Sequence, residues 1–192
     1  MQFLHELIVP EPGFPFKLFI FEGRDGNYRR DRHWHRSVEI FAVCSGELGF
    51  YIDDRLWHLS AGEFLIVNSN EVHSVDSPLP NETIVLRIPL ELFEDYFTGE
   101  QFIWFTHEPG KRDERFMELM RELYRIYEEK TCGYDMKMMS VFYDILYYLV
   151  KDYRLPETGQ DYVRKNKTLD RLSGITSYMK ENYRNSLSLE KV

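Results

Sequence analysis

The first half of the chain consists of short runs of apolar and β-branched residues separated by turn signals. About seven or eight such runs fall between residues 17 and 88, and turn-forming residues such as Gly, Asn, Asp and Pro lie between them. This spacing favours a barrel or sandwich of antiparallel strands over an alternating α/β fold. Within it, the pattern predicts a tight turn at Ser45-Gly46. After Pro89 it predicts a short helix over 90–97 and one more strand over 101–106.

Two later segments have the period of helices. Over 111–130, apolar residues line one face and charged residues the other, which predicts an amphipathic helix that ends at Cys132-Gly133. Over 134–153, three polar residues at heptad spacing form one narrow stripe, and nearly everything else is apolar. A helix that is apolar over most of its circumference must be buried on more than one side.

The second face of the 134–153 helix therefore needs a partner. One side can pack on the preceding helix and the barrel, and a second copy of the chain is a natural candidate for the other. The alternative is a central helix that its own domain covers. We predict a homodimer whose contact residues are Met139, Phe142, Leu146, Leu149 and Tyr153.

These patterns define a mainly β chain with C-terminal helices, which is an α+β fold class. The predicted segments are an arm (1–16), a barrel (17–106), dimerisation helices (107–154), a linker (155–166) and the start of a further domain (167–192). Helical periodicity resumes over 167–183. Ser188 then suits a helix N-cap, and the four residues after it resemble a first helical turn. We therefore expect the chain to be a fragment of a longer protein.

Composition narrows the class of protein. The chain has 192 residues, 43% of them hydrophobic, so it can build a core and is not disordered. Its formal net charge of −8 is untypical of a nucleic-acid-binding protein. Residues 162–192 differ, with seven Lys or Arg against three Asp or Glu, which leaves open a tail that leads to nucleic acid or a solvated helix. Two cysteines without a CxxC pair, no signal peptide and no long apolar run predict a soluble, cytoplasmic protein without membrane contact.

Residues 33–39 carry the candidate chemistry. His33, His35 and Glu39 are separated by even numbers of residues, so on a single strand they share one face, followed by Phe41. Two imidazoles and a carboxylate followed by an apolar side chain suggest the floor of a pocket.

The same residues fit a known sequence motif. The pattern His33-x-His35-x₃-Glu39-x₆-Gly46, with Gly62 and His73 further on, resembles the two motifs of the cupin superfamily. The resemblance implies a small jelly-roll barrel of two antiparallel sheets. In metal-binding cupins, the residues that match His33, His35, Glu39 and His73 are the metal ligands. This chain departs from the usual motif in a longer gap after Gly26 and in Asn68 and Asn70, which stand where Pro and Gly are usual.

Two uses of this residue set remain open. Three neutral imidazoles and a carboxylate suit Fe, Mn, Ni, Zn or Cu. The same side chains can also lie in a barrel without metal, bonded to one another, to water or to an organic ligand. We therefore treat a divalent transition metal as an optional occupant and not as a required cofactor.

The order of the segments resembles the AraC family of transcription regulators. The carrying stretches are His33-Trp34-His35, the segments 61–68 and 70–74, and the pattern over 169–192. The resemblance implies an N-terminal cupin domain that binds a small effector, a helical dimerisation element and a C-terminal pair of helix-turn-helix motifs. The recognition helices would come after Val192, so we expect this chain to contact DNA only through that further domain.

From this we predict a binding protein and not an enzyme, with a sugar-like molecule or an organic acid as its effector. The predicted ligand contacts are His33, His35, Glu39, His73, Phe41, Phe64, Arg24, Tyr28 and Arg87. For the two phenylalanines the alternative role is core packing, and for the two arginines it is solvation or a structural ion pair. The rival function is a cupin metalloenzyme, such as a dioxygenase or sugar isomerase, that uses His33, His35, Glu39 and His73.

Overall fold

The computed structural model describes residues 4–6, 12–23, 25–52, 55–97, 103–106 and 112–155, together with positions 175, 178–179 and 182–183. Its strands are β1 (Leu4–His5), β2 (Lys17–Glu22), β3 (Tyr28–Trp34), β4 (Ser37–Ile52), β5 (Arg55–Ser60), β6 (Phe64–Val67), β7 (His73–Ser77) and β8 (Asn81–Pro89). The hydrogen-bonded order is β1-β3-β7-β4-β8-β2, and β5 and β6 also pair with β4. Every pairing is antiparallel except that of β1 with β3. The result is a curled antiparallel half-barrel followed by two helices, which confirms the predicted fold class.

Strand β4 runs through both halves of this barrel. Residues 37–46 pair with β8 and partly with β6, whereas residues 47–52 pair with β5 and partly with β7. The predicted turn at Ser45-Gly46 is wrong, because the strand continues there through a register shift between Val43 and Ser45. Gly46 has a φ of 73°, and a Cβ at this position would collide with the carbonyl oxygen of Pro80. A glycine therefore lets the strand bend from one half to the other without ending.

The two faces of β4 separate two hydrophobic cores. Val38, Ile40 and Ala42 belong to the larger core, which the helices complete. Phe41 and Val43 belong to a smaller core inside the barrel, together with Leu65 and others. Because side chains alternate along a strand, every second residue of β4 serves the barrel interior.

In the described part of the chain, a short 3₁₀ helix and two longer α-helices follow the barrel. A 3₁₀ helix spans Leu90–Tyr96, close to the predicted range. Helix α1 (Glu114–Glu129) begins at Asp113, whose side chain accepts a hydrogen bond from the backbone N–H of Phe116 at 3.0 Å. It ends at Lys130 in the left-handed conformation, two residues before the predicted Cys132-Gly133. Helix α2 (Tyr134–Tyr148) continues into a π turn, Leu149–Tyr153.

The end of the helical region is tied back to residues 103–106. The predicted strand over 101–106 is reduced, within the described residues 103–106, to a single antiparallel bridge between Phe105 and Arg154. Thr106 N–H donates to Tyr153 O at 2.7 Å, and Leu155 N–H donates to Trp104 O at 2.8 Å. The chain at the end of the helical region is therefore held against residues 104–106.

Most residues of the predicted dimer interface are buried within the chain itself. Phe142 and Leu149 have no exposed surface, Leu146 and Tyr153 are nearly as buried, and Met139 is partly buried. The exposed apolar side chains of α2 are Met136 (77%), Tyr143 (59%) and Tyr147 (62%). These residues pack within the chain itself and leave little surface for a second copy, and a helix that is apolar on nearly all sides does not reveal in the sequence which side meets its own barrel. The dimer itself stays a prediction.

The predicted linker 155–166 and the helix over 167–183 lie outside the described residues, apart from Leu155 and the isolated positions 175, 178–179 and 182–183. The predicted segment boundaries therefore stay predictions. Among the described residues, no helix is both long enough and apolar enough to cross a membrane.

Candidate functional site

The histidine motif lies where β3 passes into β4. His33 is the penultimate residue of β3, His35 lies in the connection, and Glu39 is the third residue of β4. The expectation of a single strand through 33–39 is therefore wrong, because two strands meet here. His73 opens β7 and pairs in register with His33. One ligand atom from each of the four residues lies within 4.8 Å of the others, and all four side chains are buried.

Backbone carbonyl groups fix two of the imidazole rings. The Nδ1 atom of His33 lies 2.9 Å from Asp31 O, and that of His73 lies 2.9 Å from Glu71 O. Because a carbonyl oxygen only accepts, each Nδ1 carries the proton and donates it. The Nε2 atoms therefore present lone pairs, and both are buried without a hydrogen-bond partner among the described residues.

His35 lies between two acceptors. Its Nδ1 is 3.2 Å from Ser37 O, and its Nε2 is 2.8 Å from Glu39 Oε2. A neutral imidazole has a single N–H group, so it can satisfy one of these acceptors but not both. The remaining contact needs a proton or another cation. This is a second sign that the cluster is arranged around positive charge.

Burial sets the protonation states of the cluster. Desolvation lowers the pKa of His33 to about 3, with the neighbouring His73 adding to the effect, and desolvation also lowers the pKa of His35. Burial alone would raise the pKa of Glu39, but His35, His73 and Arg87 lower it by more, so that it lies well below its usual range. Neutral His33 and His35 rings beside an ionised carboxylate are the states in which these groups bind a metal.

The donor set therefore fits a divalent transition metal. Unpartnered Nε2 atoms, a buried carboxylate and Nδ1–H groups held by carbonyls are the usual features of such a site. When bound, the metal would supply a Lewis acid or an anchor for a ligand oxygen. His33, His35, Glu39 and His73 would hold it.

An arginine and a second carboxylate extend the cluster. Arg87 is buried, and its Nε donates to Glu39 Oε1, while its Nη1 lies 3.1 Å from Glu6 Oε1. Glu6 Oε2 lies 2.6 Å from Arg30 Nη2 and 3.4 Å from His33 Nε2. Partial burial would raise the pKa of Glu6, but the Arg87 and Arg30 guanidinium groups lower it by more, so Glu6 is ionised.

The other predicted ligand residues are divided. Phe41 lies in the barrel interior against Phe50, whose ring is stacked on that of His73 at 5.7 Å. Phe64 does not belong to this interior, because its ring packs on Phe116 of α1 at 4.4 Å. Its neighbour Leu65 lies inside instead.

One predicted contact, Tyr28, stands apart from the histidines. Tyr28 begins β3, at the opposite end of that strand from His33, and its ring packs against Phe21. Arg24 lies outside the described residues. Of the two polar candidates beyond the motif that the structure describes, Arg87 lies at the cluster and Tyr28 does not.

Sequence reasoning missed Glu6 and Arg30. Glu6 reaches the site because β1 pairs in parallel with β3, with Leu4 opposite His33, and Glu6 N–H donates to Trp34 O at 3.0 Å. A strand of two residues leaves no periodic signal in a sequence. Arg30 lies two residues after Tyr28 and therefore on the same face of β3. Its position beside the cluster depends on the register of β3 with β7, which the sequence alone does not show.

The loop after β6 connects this site to the rest of the body. Asn70 N–H donates to His35 O at 2.8 Å, and Asn70 has a φ of 64°, so it adopts the left-handed conformation that a glycine usually provides. The Asn68 side chain accepts from Phe105 N–H at 2.7 Å and donates to Phe105 O at 3.1 Å. The two asparagines that depart from the cupin motif therefore have structural roles.

The curled antiparallel barrel and its buried His₃Glu cluster define a cupin-type protein. The family model described as "AraC-like ligand binding domain" matches residues 15–146. The chain therefore belongs to the AraC-like ligand-binding domain family. A search of curated proteins gave no significant match.

Solved structures give partial similarities at low identity. A cupin superfamily protein from Desulfitobacterium hafniense is 15% identical, with a TM-score of 0.37 over 39% of this chain and 68% of its own. An RmlC-like cupin from Shewanella frigidimarina is 21% identical, with a TM-score of 0.37 over 39% of this chain and 67% of its own. A cupin 2 conserved barrel domain protein from Salinispora arenicola is 16% identical, with a TM-score of 0.39 over 46% of this chain and 76% of its own.

Proposed function

We propose that this chain is the effector-binding part of a cytoplasmic AraC-type transcription regulator. A small metabolite, sugar-like or an organic acid, would bind at the histidine end of the barrel. The observation that carries the proposal is the match of residues 15–146 to the ligand-binding domain family, combined with a buried polar cluster inside that domain. Polar groups that converge within an apolar barrel are the usual basis of specific small-molecule binding.

DNA contact and regulation extend this proposal. An effector can alter a regulator only if its affinity differs between two arrangements of the protein. We propose that the arrangements differ in the position of the N-terminal arm or of the helices, and that a DNA-binding domain with two helix-turn-helix motifs follows this chain. Two helix-turn-helix patterns in the reading frame after codon 192 would support this extension, and their absence would contradict it.

A homodimer through α2 is also part of the proposal. Met136, Tyr143 and Tyr147 give this helix an apolar strip that faces away from its own core. Tyr143→Glu should yield a monomer by light scattering while leaving thermal stability nearly unchanged. Phe142→Glu, one residue away on the buried face, should instead unfold the chain. A wild-type monomer at tens of micromolar would contradict the dimer.

Ligand screening tests the effector-binding function directly. Wild-type protein would be heated with individual sugars and organic acids, and hits would be measured by calorimetry. A ligand at a hundred times its Kd stabilises the folded state by about 2.7 kcal/mol. The shift should disappear in His33→Ala and persist in His58→Ala, which changes an exposed histidine on β5. An equal shift in both variants would place binding elsewhere and contradict the proposal.

A cupin metalloenzyme is the second candidate function. The observation that favours it is the pair of unpartnered Nε2 atoms on His33 and His73 beside Glu39. Metal analysis of protein purified without chelators separates the two functions. Near-stoichiometric metal, lost in His73→Ala together with an activity on a small substrate, would establish catalysis. Metal without any activity would leave it as an anchor within a binding site.

A further inference from the structure

The carboxylate of Glu6 is held in the way that a bound anion would be held. Its two oxygens lie 3.1 Å from Arg87 Nη1 and 2.6 Å from Arg30 Nη2. Two guanidinium groups that converge on one carboxylate form a common recognition unit for carboxylate ligands. Here this unit is filled by a residue of the chain itself.

The residue that fills the unit is attached by a weak local structure. Strand β1 has two residues, both paired with β3, and one further hydrogen bond joins Glu6 N–H to Trp34 O. A segment held by so few backbone hydrogen bonds among the described residues opens at low cost in free energy compared with a core strand. The rest of the cluster lies on β3, β4, β7 and β8, which are internal to the sheet. Glu6 is thus the member of the cluster that can leave without unfolding the barrel.

Glu6 is more exposed to water than the buried arginine that it contacts. Its side chain is 26% exposed, whereas that of Arg87 is 6% exposed. Arg87 donates from Nε to Glu39 and from Nη1 to Glu6. If Glu6 left, the bond to Glu39 would remain and the Nη1 donor would become available. A ligand that takes the place of Glu6 therefore need not compete with the buried Arg87–Glu39 pair.

Charge decides which kind of ligand can replace Glu6. Without Glu6, the guanidinium groups of Arg30 and Arg87 would face the single carboxylate of Glu39, which leaves one positive charge without a carboxylate partner. A neutral sugar would leave that charge uncompensated. A carboxylate would restore the balance with the same two contacts.

We propose that Glu6 is a built-in substitute for the effector's carboxylate, so that the effector is a small organic acid whose binding displaces Glu6 and detaches β1. This inference rests on the proposed effector-binding function and narrows it from sugars or acids to acids. It makes β1 an autoinhibitory element, because the arm and the ligand compete for Arg30 and Arg87.

The test compares wild type with Glu6→Gln, using acetate and benzoate as probes and acetamide and benzamide as their neutral counterparts. With a chelator present, calorimetry should show that the variant binds the acids about tenfold or more tightly than wild type, within the usual range of coupling between competing states. The amides should bind neither protein measurably. Glu91→Gln, which removes a carboxylate from an exposed ion pair with Arg36, should behave as wild type.

Two further measurements follow the arm and the arginine. In wild type, saturating benzoate should increase hydrogen exchange at the Glu6 amide, which is bonded to Trp34 O, while amides within β4 stay protected. Arg30→Gln should weaken acid binding to the Glu6→Gln background by about tenfold. Protection of the Glu6 amide that is unchanged or increased by the acid would overturn the displacement.

The outcomes separate this inference from the proposed function. Acid affinity that is equal in wild type and Glu6→Gln would overturn the inference. A neutral sugar that binds both proteins, and is lost in His33→Ala, would overturn the inference and support the function. Folded wild-type and Glu6→Gln proteins that bind neither the acids nor any member of the metabolite screen would overturn both.

Discussion

Strand β4 presents two equally buried faces to two different environments. On the outer face, Val38 and Ile40 meet other apolar side chains from the barrel and the helices. On the inner face, Glu39 lies between them in sequence, yet its carboxylate contacts His35, His73 and Arg87 at the end of an apolar interior. Both faces are almost completely removed from water. Burial alone therefore does not distinguish the residues that hold the molecule together from those that can bind.

The difference lies in what a lost side chain leaves behind. On the helix side, a truncation leaves a cavity, and the cost grows with its volume. In the histidine cluster, a truncation leaves an uncompensated charge or an unpartnered polar atom. Four measurements can sharpen or break this contrast, and they follow in order of expected size.

Removal of Glu39 should have the largest effect on stability. Glu39→Ala removes the fully buried one of the two carboxylates that pair with Arg87, and breaking a buried ion pair typically costs about 3–5 kcal/mol. Urea unfolding of wild type and variant measures this cost. The matched control is Glu91→Ala, whose ion pair with Arg36 is exposed and should matter little. A comparable loss in both variants would contradict the contrast.

Truncation on the helix side should destabilise the chain without affecting the cluster. Leu149→Ala removes a fully buried side chain from the larger core and should cost about 2–5 kcal/mol. Ligand or metal affinity at the histidine end should stay at the wild-type value in the variant that remains folded. A large loss of that affinity would show that the two cores are not separate.

Acid should destabilise the histidine end first. The pKa of His33 is about 3 in the folded chain against an ordinary value of 6.5, so the unfolded chain binds more protons between these values. His33 therefore leaves the free energy of unfolding unchanged above pH 6.5 and lowers it by about 1.4 kcal/mol for each pH unit below that value. Urea unfolding with a chelator, at several pH values, measures this slope. His33→Gln should reduce the slope, whereas His58→Gln should leave it unchanged.

Alkali should act on the helix side instead. Burial raises the pKa of Tyr153, and its O–H group, which donates to Asp113 Oδ2 at 2.6 Å, raises it further. The stabilisation that comes with this raised pKa is complete below pH 10, the ordinary pKa of a tyrosine, and is lost as the pH rises above it. Tyr153→Phe should cost about 1.5 kcal/mol at neutral pH and weaken the alkaline dependence. Tyr143→Phe, on the exposed side of α2, should change neither.

The sequence allowed the right residues to be chosen for the cluster, although part of the geometry was wrong. Even spacing identified His33, His35 and Glu39, but it did so for a single strand that the structure divides into β3 and β4. Their convergence comes from the connection between the strands and from the pairing of His33 with His73. The cupin motif is informative because its spacing spans the connection between the two strands. The alternation of side chains along a single strand does not reveal that connection.

Segments in which nearly every residue is apolar were the main source of wrong predictions. Residues 64–67 are all apolar and all buried, so the sequence could not show that Leu65 faces the interior while Phe64 faces α1. Helix α2 has the same ambiguity around its circumference. Glu6 was missed for another reason, because its position depends on a two-residue parallel pairing with β3 that only the folded barrel creates.

The hydrogen bonds of Asn68 and Asn70 connect the histidine site with the end of the helical region. The loop after β6 donates to the His35 carbonyl, its residue Asn68 holds Phe105 through two hydrogen bonds, and Phe105 pairs with Arg154. These hydrogen bonds form a continuous series from the connection that holds His35 to Phe105 and Arg154. We therefore expect a shift of the His35 backbone to be accompanied by a shift of Arg154.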